Sequence, residues 1–157
     1  MKLGGVTSIQ VADDTFVAAD PANAAEVVGD RDRWRRWWPD LRLEVVEDRG
    51  AAGVRWRVSG PVTGTMEIWC ESVLDGFVLH YFLHAEPAQL DTAVDVAGGR
   101  ARTERLAGLN LPELNLAELN RRRRVAGKVM AFEVKDLLEG DRGVGEPAVA
   151  ATTRVGA

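Results

Sequence analysis

Residues 41–85, LRLEVVEDRGAAGVRWRVSGPVTGTMEIWCESVLDGFVLHYFLHA, read as four consecutive antiparallel strands. Three short turns set which side chains face each other. The segment Leu74-Asp75-Gly76-Phe77 offers an Asp-Gly two-residue hairpin loop. Pairing outward from it opposes Ser72 to Leu79, Cys70 to Tyr81, Ile68 to Leu83 and Met66 to Ala85. On the other face it opposes Glu71 to His80, Trp69 to Phe82 and Glu67 to His84. A turn at Gly60-Pro61-Val62 opposes Trp56 to Met66, Val54 to Ile68 and Arg55 to Glu67, and a loop over 48–53 opposes Val45 to Trp56, Leu43 to Val58 and Glu44 to Arg57. Successive strand residues point to opposite faces, so three independent turns can contradict one another. Here they agree. One face collects Leu43, Val45, Val54, Trp56, Val58, Met66, Ile68, Cys70, Leu79, Tyr81 and Leu83; the other collects the opposite-charge pairs and the two Glu/His pairs. A sheet with one wet and one apolar face needs a cover.

Upstream, 6–19 reads as a first strand around Thr15-Phe16-Val17. Asp20 followed by Pro21 caps and opens a short helix over 22–28 that ends near Gly29, and Asp30 caps a second over 31–37 that Pro39 stops. In Trp34-Arg35-Arg36-Trp37-Trp38-Pro39, Trp37 or Trp38 is expected to plug one end of the core, with both arginines solvated. Downstream, 86–116 reads as irregular or as a weak extra hairpin turned at Gly98-Gly99, with Pro112 breaking an extended loop over 109–116. From about 117 to 139 the period becomes helical, with Leu119, Ala126, Val129, Met130, Phe132, Val134, Leu137 and Leu138 as the apolar stripe. Such a helix spans about 34 Å at 1.5 Å per residue, enough to lie over four strands. Phe132 is expected against the sheet. Gly140 stops the helix, giving one domain over 1–142 and a mobile tail over 143–157.

The chain has 157 residues, 46% hydrophobic and 28% charged, which suits one soluble domain with one core. A net charge of −4 argues against nucleic acid as a partner, and Arg121 to Arg124 with Lys128 read as a solvated helix face. One cysteine excludes an internal disulfide framework and suits a reducing, cytoplasmic setting. The first ten residues lack the apolar core of a signal peptide, and no stretch is apolar for the ~20 residues that stable membrane insertion needs.

Acid–base candidates on the apolar face reduce to Tyr81 and Cys70, and neither is assigned a catalytic role. His80 and His84 lie on the wet face, about 13 Å apart at ~3.3 Å per residue, too far to share a metal ion. No metal or cofactor is expected.

The order of elements resembles the START/Bet v 1-like (SRPBCC) superfamily, more narrowly its bacterial polyketide cyclase/dehydrase-type proteins. Carrying the resemblance are Phe16-Val17-Ala18-Ala19-Asp20-Pro21, Gly29-Asp30, Trp34, Trp37-Trp38-Pro39, Gly53-Val54-Arg55-Trp56 and Phe132-Glu133-Val134-Lys135. It covers 6–141. It implies an α+β helix-grip fold, a curved antiparallel sheet wrapped around a long C-terminal helix, with two short helices after the first strand. The family norm has further strands before the last helix, which this sequence does not clearly show. The resemblance also implies an apolar cavity between sheet and helix that binds or carries a small hydrophobic, lipid- or polyketide-like molecule. Mapped here, Trp56, Met66, Ile68, Cys70, Leu79, Tyr81 and Leu83 line it from the sheet, and Val129, Met130 and Phe132 from the helix. Two other functions are a polyketide cyclase, aromatase or dehydratase, and a protein-interaction domain using Trp69 and Phe82 on the outer face. Oligomeric state is left open.

Overall fold

Among the described residues, five antiparallel strands form one curved sheet in the order β1-β5-β4-β3-β2. They are β1 (Ile9–Val17), β2 (Arg42–Asp48), β3 (Gly53–Ser59), β4 (Val62–Val73) and β5 (Gly76–Pro87). Helices α1 (Ala24–Val28) and α2 (Arg31–Trp37) follow β1, and α3 (Leu111–Glu139) follows β5. The structure, a computed structural model, describes residues 7–88 and 111–151, with α3 side chains described from Leu116. The hairpin read over 92–106 lies outside the described residues.

The β2/β3 and β3/β4 registers are those the turns imply: Val45 opposes Trp56, Leu43 opposes Val58, Trp56 opposes Met66 and Val54 opposes Ile68. A bulge at Val46 shifts the β2/β3 ladder beyond Val45. The β4/β5 register differs by two residues. Cys70 faces Leu79, Ile68 faces Tyr81 and Met66 faces Leu83, because the loop residues are Leu74 and Asp75 while Val73 pairs with Gly76. Leu74 takes the positive φ of 56° that the tight turn needs. Gly76 serves another purpose: a Cβ there would come within 2.2 Å of the Val17 carbonyl oxygen, so only glycine lets β5 begin beside β1. A two-residue slip returns every side chain to its own face, so the apolar set survives intact. On the wet face the partners change. Glu44 meets Arg57 at 3.2 Å, but Glu67 bonds Arg49, not Arg55, and His80 comes to lie against Trp69.

Asp20 accepts a hydrogen bond from the Ala22 N–H at 2.8 Å to open the turn Pro21–Asn23 before α1, and Asp30 does the same for α2 at Asp32 N–H, 2.9 Å. Trp34, Trp37 and Trp38 are all buried, so α2 and the residue after it close one end of the core with three indoles.

Helix α3 begins earlier than its apolar period suggests. The stretch over 109–116 is helical from Leu111, and Pro112 falls in the first turn, where its missing N–H breaks no helical hydrogen bond. The helix runs parallel to β1 and fastens that strand's free edge. Asn120 Oδ1 accepts from Gln10 N–H (3.3 Å) and Asn120 Nδ2 donates to the Ser8 carbonyl (3.2 Å). Lys128 meets Asp13 (2.9 Å), Lys135 donates to the Phe16 carbonyl (2.7 Å) and Glu139 accepts from Ala18 N–H (2.8 Å). The lengths match: Asn120 to Glu139 is about 28 Å of helix, and Gln10 to Ala18 is about 26 Å of strand. Side chains of α3 thus pair an edge that would otherwise be open to another chain.

The rotation of α3 corrects part of the expected stripe. Met130 and Val134 are buried and Leu119, Ala126 and Leu138 pack against the core as expected, joined there by Arg123, Gly127 and Ala131. Phe132 and Val129 point to solvent, 52% and 56% exposed, with Leu137 also exposed. At 100° per residue Phe132 lies 200° round the helix from both Met130 and Val134, so it cannot share their face. Beyond Gly140 the chain is not a free tail through residue 151. Val149 bridges the end of β1, donating to the Ala18 carbonyl (2.9 Å) and accepting from Asp20 N–H (2.7 Å), and Asn23 donates to the Ala150 carbonyl (3.0 Å).

Candidate functional site

The apolar face of the sheet brings Trp56, Met66, Ile68, Cys70, Leu79, Tyr81 and Leu83 together as expected, and Met130 joins them from α3. Val129 and Phe132 do not. Trp56, Met66, Ile68, Leu79, Tyr81, Leu83 and Met130 show no exposed surface at all, so among the described residues none of them borders a void that a water molecule could enter. The reason is close seating of the helix. A Cβ on Gly127 would lie 2.5 Å from the Tyr81 ring, so the ring occupies the space a side chain would need.

Around Tyr81 the interior is aromatic. Its ring stacks on Trp38 at 6.1 Å; Trp38 meets Trp56 edge-on at 5.4 Å, and Trp56 meets Trp34 edge-on at 5.0 Å. The Tyr81 hydroxyl donates to Met66 Sδ at 3.3 Å, a weak acceptor inside the wall, and not into a cavity. Burial pushes its pKa well up, and the neighbouring Arg123 guanidinium and Trp38 indole only soften that. Burial likewise pushes the Cys70 thiol up to about 12. Neither group is a ready proton donor or nucleophile near neutral pH.

Arg123 was missed by the stripe reading. It is buried beside this cluster and grips Asp40, just after α2, through both terminal nitrogens, one at 3.2 Å. That hydrogen bond holds the Asp40 carboxyl below its ordinary range despite partial burial. The signal was present: of the four consecutive arginines, only Arg123 sits four and seven residues before Gly127 and Met130.

The cluster is rich in donors and poor in acceptors. Trp34 donates to the Val28 carbonyl at 2.6 Å. Among the described residues, the Nε1–H groups of Trp37, Trp38 and Trp56 and the Arg123 Nε–H are buried without an acceptor. Trp38 Nε1 is close enough to the Tyr81 oxygen to influence its ionisation but lacks the geometry of a hydrogen bond. An unpaired buried donor costs ~1–3 kcal/mol, so four in one cluster are conspicuous. Where α2 meets β2, a depression of about 170 Å³ lined by Arg31, Trp34, Arg35, Trp38, Leu41 and Leu43 reaches the cluster from outside.

On the outer face Trp69 stacks on His80 (4.7 Å) and His80 on Phe82 (6.0 Å). His80 Nδ1 contacts Asp14 at 2.8 Å and Nε2 contacts Glu71 at 2.9 Å. Burial would lower its pKa, but the two carboxylates outweigh it and raise it. Among the described residues no group of three or more His, Cys, Asp and Glu side chains could hold a metal ion, and no helix is long and apolar enough to cross a membrane.

No family model matches the chain, and no curated protein sequence matches it. Solved structures do. A polyketide-cyclase-like protein of Corynebacterium glutamicum is 16% identical with a TM-score of 0.53, over 87% of this chain and 96% of that one. The Aha1 dimer of Colwellia psychrerythraea is 13% identical with a TM-score of 0.50, over 86% of this chain and 99% of that one. The sheet gripping a long C-terminal helix, the two short helices after β1 and these likenesses agree: the chain has a helix-grip fold, shared with the polyketide-cyclase-like protein and with Aha1.

Proposed function

We infer that this protein binds a small, largely apolar molecule carrying acceptor oxygens, taken up through the depression between α2 and β2. The observation that carries the reading is the set of unpartnered donors, Trp37, Trp38 and Trp56 Nε1–H with Arg123 Nε–H, inside an aromatic wall. A flat, oxygen-bearing ring system would offer a face to the indoles and acceptors to those donors at once. A plain alkyl chain would meet only the first need. The depression is smaller than the ~300 Å³ at which pockets usually take such ligands, so binding requires α2 and its tryptophans to move outward.

Carriage or sensing is favoured over cyclisation because Tyr81 and Cys70 are poor proton donors or acceptors near neutral pH, and Arg123 is already held by Asp40. Binding is tested by titrating a hydroxyanthraquinone, and anthracene as its oxygen-free counterpart, against the fluorescence of the tryptophans. Trp56→Phe keeps an aromatic ring, though a smaller one, and removes one donor. It is expected to weaken the hydroxyanthraquinone by ~0.5–1.5 kcal/mol more than it weakens anthracene. Absence of saturable quenching by either probe, or equal loss for both, overturns the reading. Recovery of a chemically altered probe that Tyr81→Phe fails to produce would move the assignment to the cyclase class.

A further inference from the structure

Opposite its core-facing side, α3 carries a second ordered stripe. Arg122, Val125, Val129, Phe132 and Asp136 recur at alternating intervals of three and four, the spacing at which a helix presents a straight seam to another helix. By 100° per residue their mean direction lies about 150° from that of Arg123, Gly127, Met130 and Val134. The three apolar members are about half exposed, Val125 at 49% beside Val129 and Phe132. The ends carry opposite charges, and Arg122 and Asp136 lie equally far from Val129 along the helix.

We propose that this seam docks a second copy of the chain, antiparallel, on a two-fold axis at Val129. Such an axis opposes Val129 to itself and Arg122 to Asp136 of the second copy, so both ends gain an ion pair from one operation. It also keeps like sides of the two helices together. Phe132 of the second copy then meets Val125 and the groove of about 280 Å³ beside it, lined by Val11, Ala12, Asp13, Arg124, Val125 and Lys128. Within the chain Arg122 shares Glu118 with Arg121, at 3.1 Å and 2.8 Å, an exposed pairing it can exchange for Asp136 of the second copy, while Lys128 is held by Asp13 and lies 5.2 Å from the Phe132 ring. Asp136 sets its end of this face against an anionic lipid surface and in favour of a partner that brings its own arginine. A seam of about four turns lies at the low end of interface sizes, below ~1,200 Å², so the dimer is expected in the micromolar range.

The test is sedimentation equilibrium of the full chain from about 1 to 200 μM. Wild type should pass from monomer to dimer across that range. Val129→Glu, which sets two carboxylates against each other on the axis, should stay monomeric with unchanged circular dichroism. Asp136→Arg should weaken association ~10-fold, and adding Arg122→Asp should restore it. A wild type monomeric throughout, a dimer indifferent to Val129→Glu, or a charge swap that fails to restore association overturns the proposal. A monomer that floats with phosphatidylserine vesicles through Val129 gives the face to lipid, and one whose Val129 is shielded by residues 89–110 gives it to the chain itself; either also overturns it.

Discussion

The two sides of α3 differ in bulk more than in polarity. The side seated in the domain carries Gly127, Ala131 and a buried arginine; the side turned outward carries Val125, Val129 and Phe132. A rule that buries the helix's one aromatic side chain would turn this helix the other way. What seats it is fit. The Tyr81 ring stands where a side chain at 127 would be, and Arg123 reaches Asp40 only from this rotation. Close approach at one glycine and one buried ion pair outweigh exposure of a phenylalanine, since surface aromatics are tolerated and interpenetration is not.

The sharpest way to break that comparison is to truncate one residue on each side. Met130→Ala should cost ~2–5 kcal/mol by opening a cavity under the sheet. Phe132→Ala, measured in dilute solution, should stay within ~0.5 kcal/mol of wild type. Chemical denaturation checks both, and equal losses would mean the helix is seated on its other face. Next in size, Gly127→Ala should destabilise by ~1–3 kcal/mol although alanine is the better helix former, because the added methyl collides with Tyr81. A gain in stability there would show that the glycine is not needed for docking.

The smallest expected effect moves the comparison to the sheet's outer face, where His80 lies between Asp14 of β1 and Glu71 of β4 and is stacked by Trp69 and Phe82. A carboxylate at each ring nitrogen calls for two N–H groups, hence the imidazolium. Its folded-state pKa is raised, so its contribution is fully present below the unfolded value of ~6.5 and fades as pH rises through the folded value. The melting-temperature gap between wild type and His80→Gln should therefore be widest near pH 6 and narrow towards pH 8. A gap that widens with pH would mean the ring is held neutral.

The strands were readable because a strand offers each residue only two directions and three turns had to agree on them. The one register error, at Leu74-Asp75-Gly76, left the faces right because it was an even slip, and it arose because Gly76 answers to its neighbour Val17 and not to its own turn. The caps at Asp20 and Asp30 were readable for the same local reason, a side chain bonding an N–H two residues on. Of the candidate site, the aromatic wall was in view but its donors were not, since an indole's lack of an acceptor is a property of everything packed around it.

By itself, then, the sequence determined the antiparallel meander, its apolar face, the two short helices and the presence of a long terminal helix, all from contacts within a turn or across a hairpin. Tertiary structure alone decided how α3 is rotated, that its side chains close the β1 edge, that Arg123 is buried on Asp40, and that Val149 fastens the chain's end to Ala18 and Asp20. Each of those joins residues far apart along the chain. Such joins depend on shape and on unpaired groups left over once the local elements have formed, and apolar residues on both sides of α3 leave its rotation free until the sheet is there to choose.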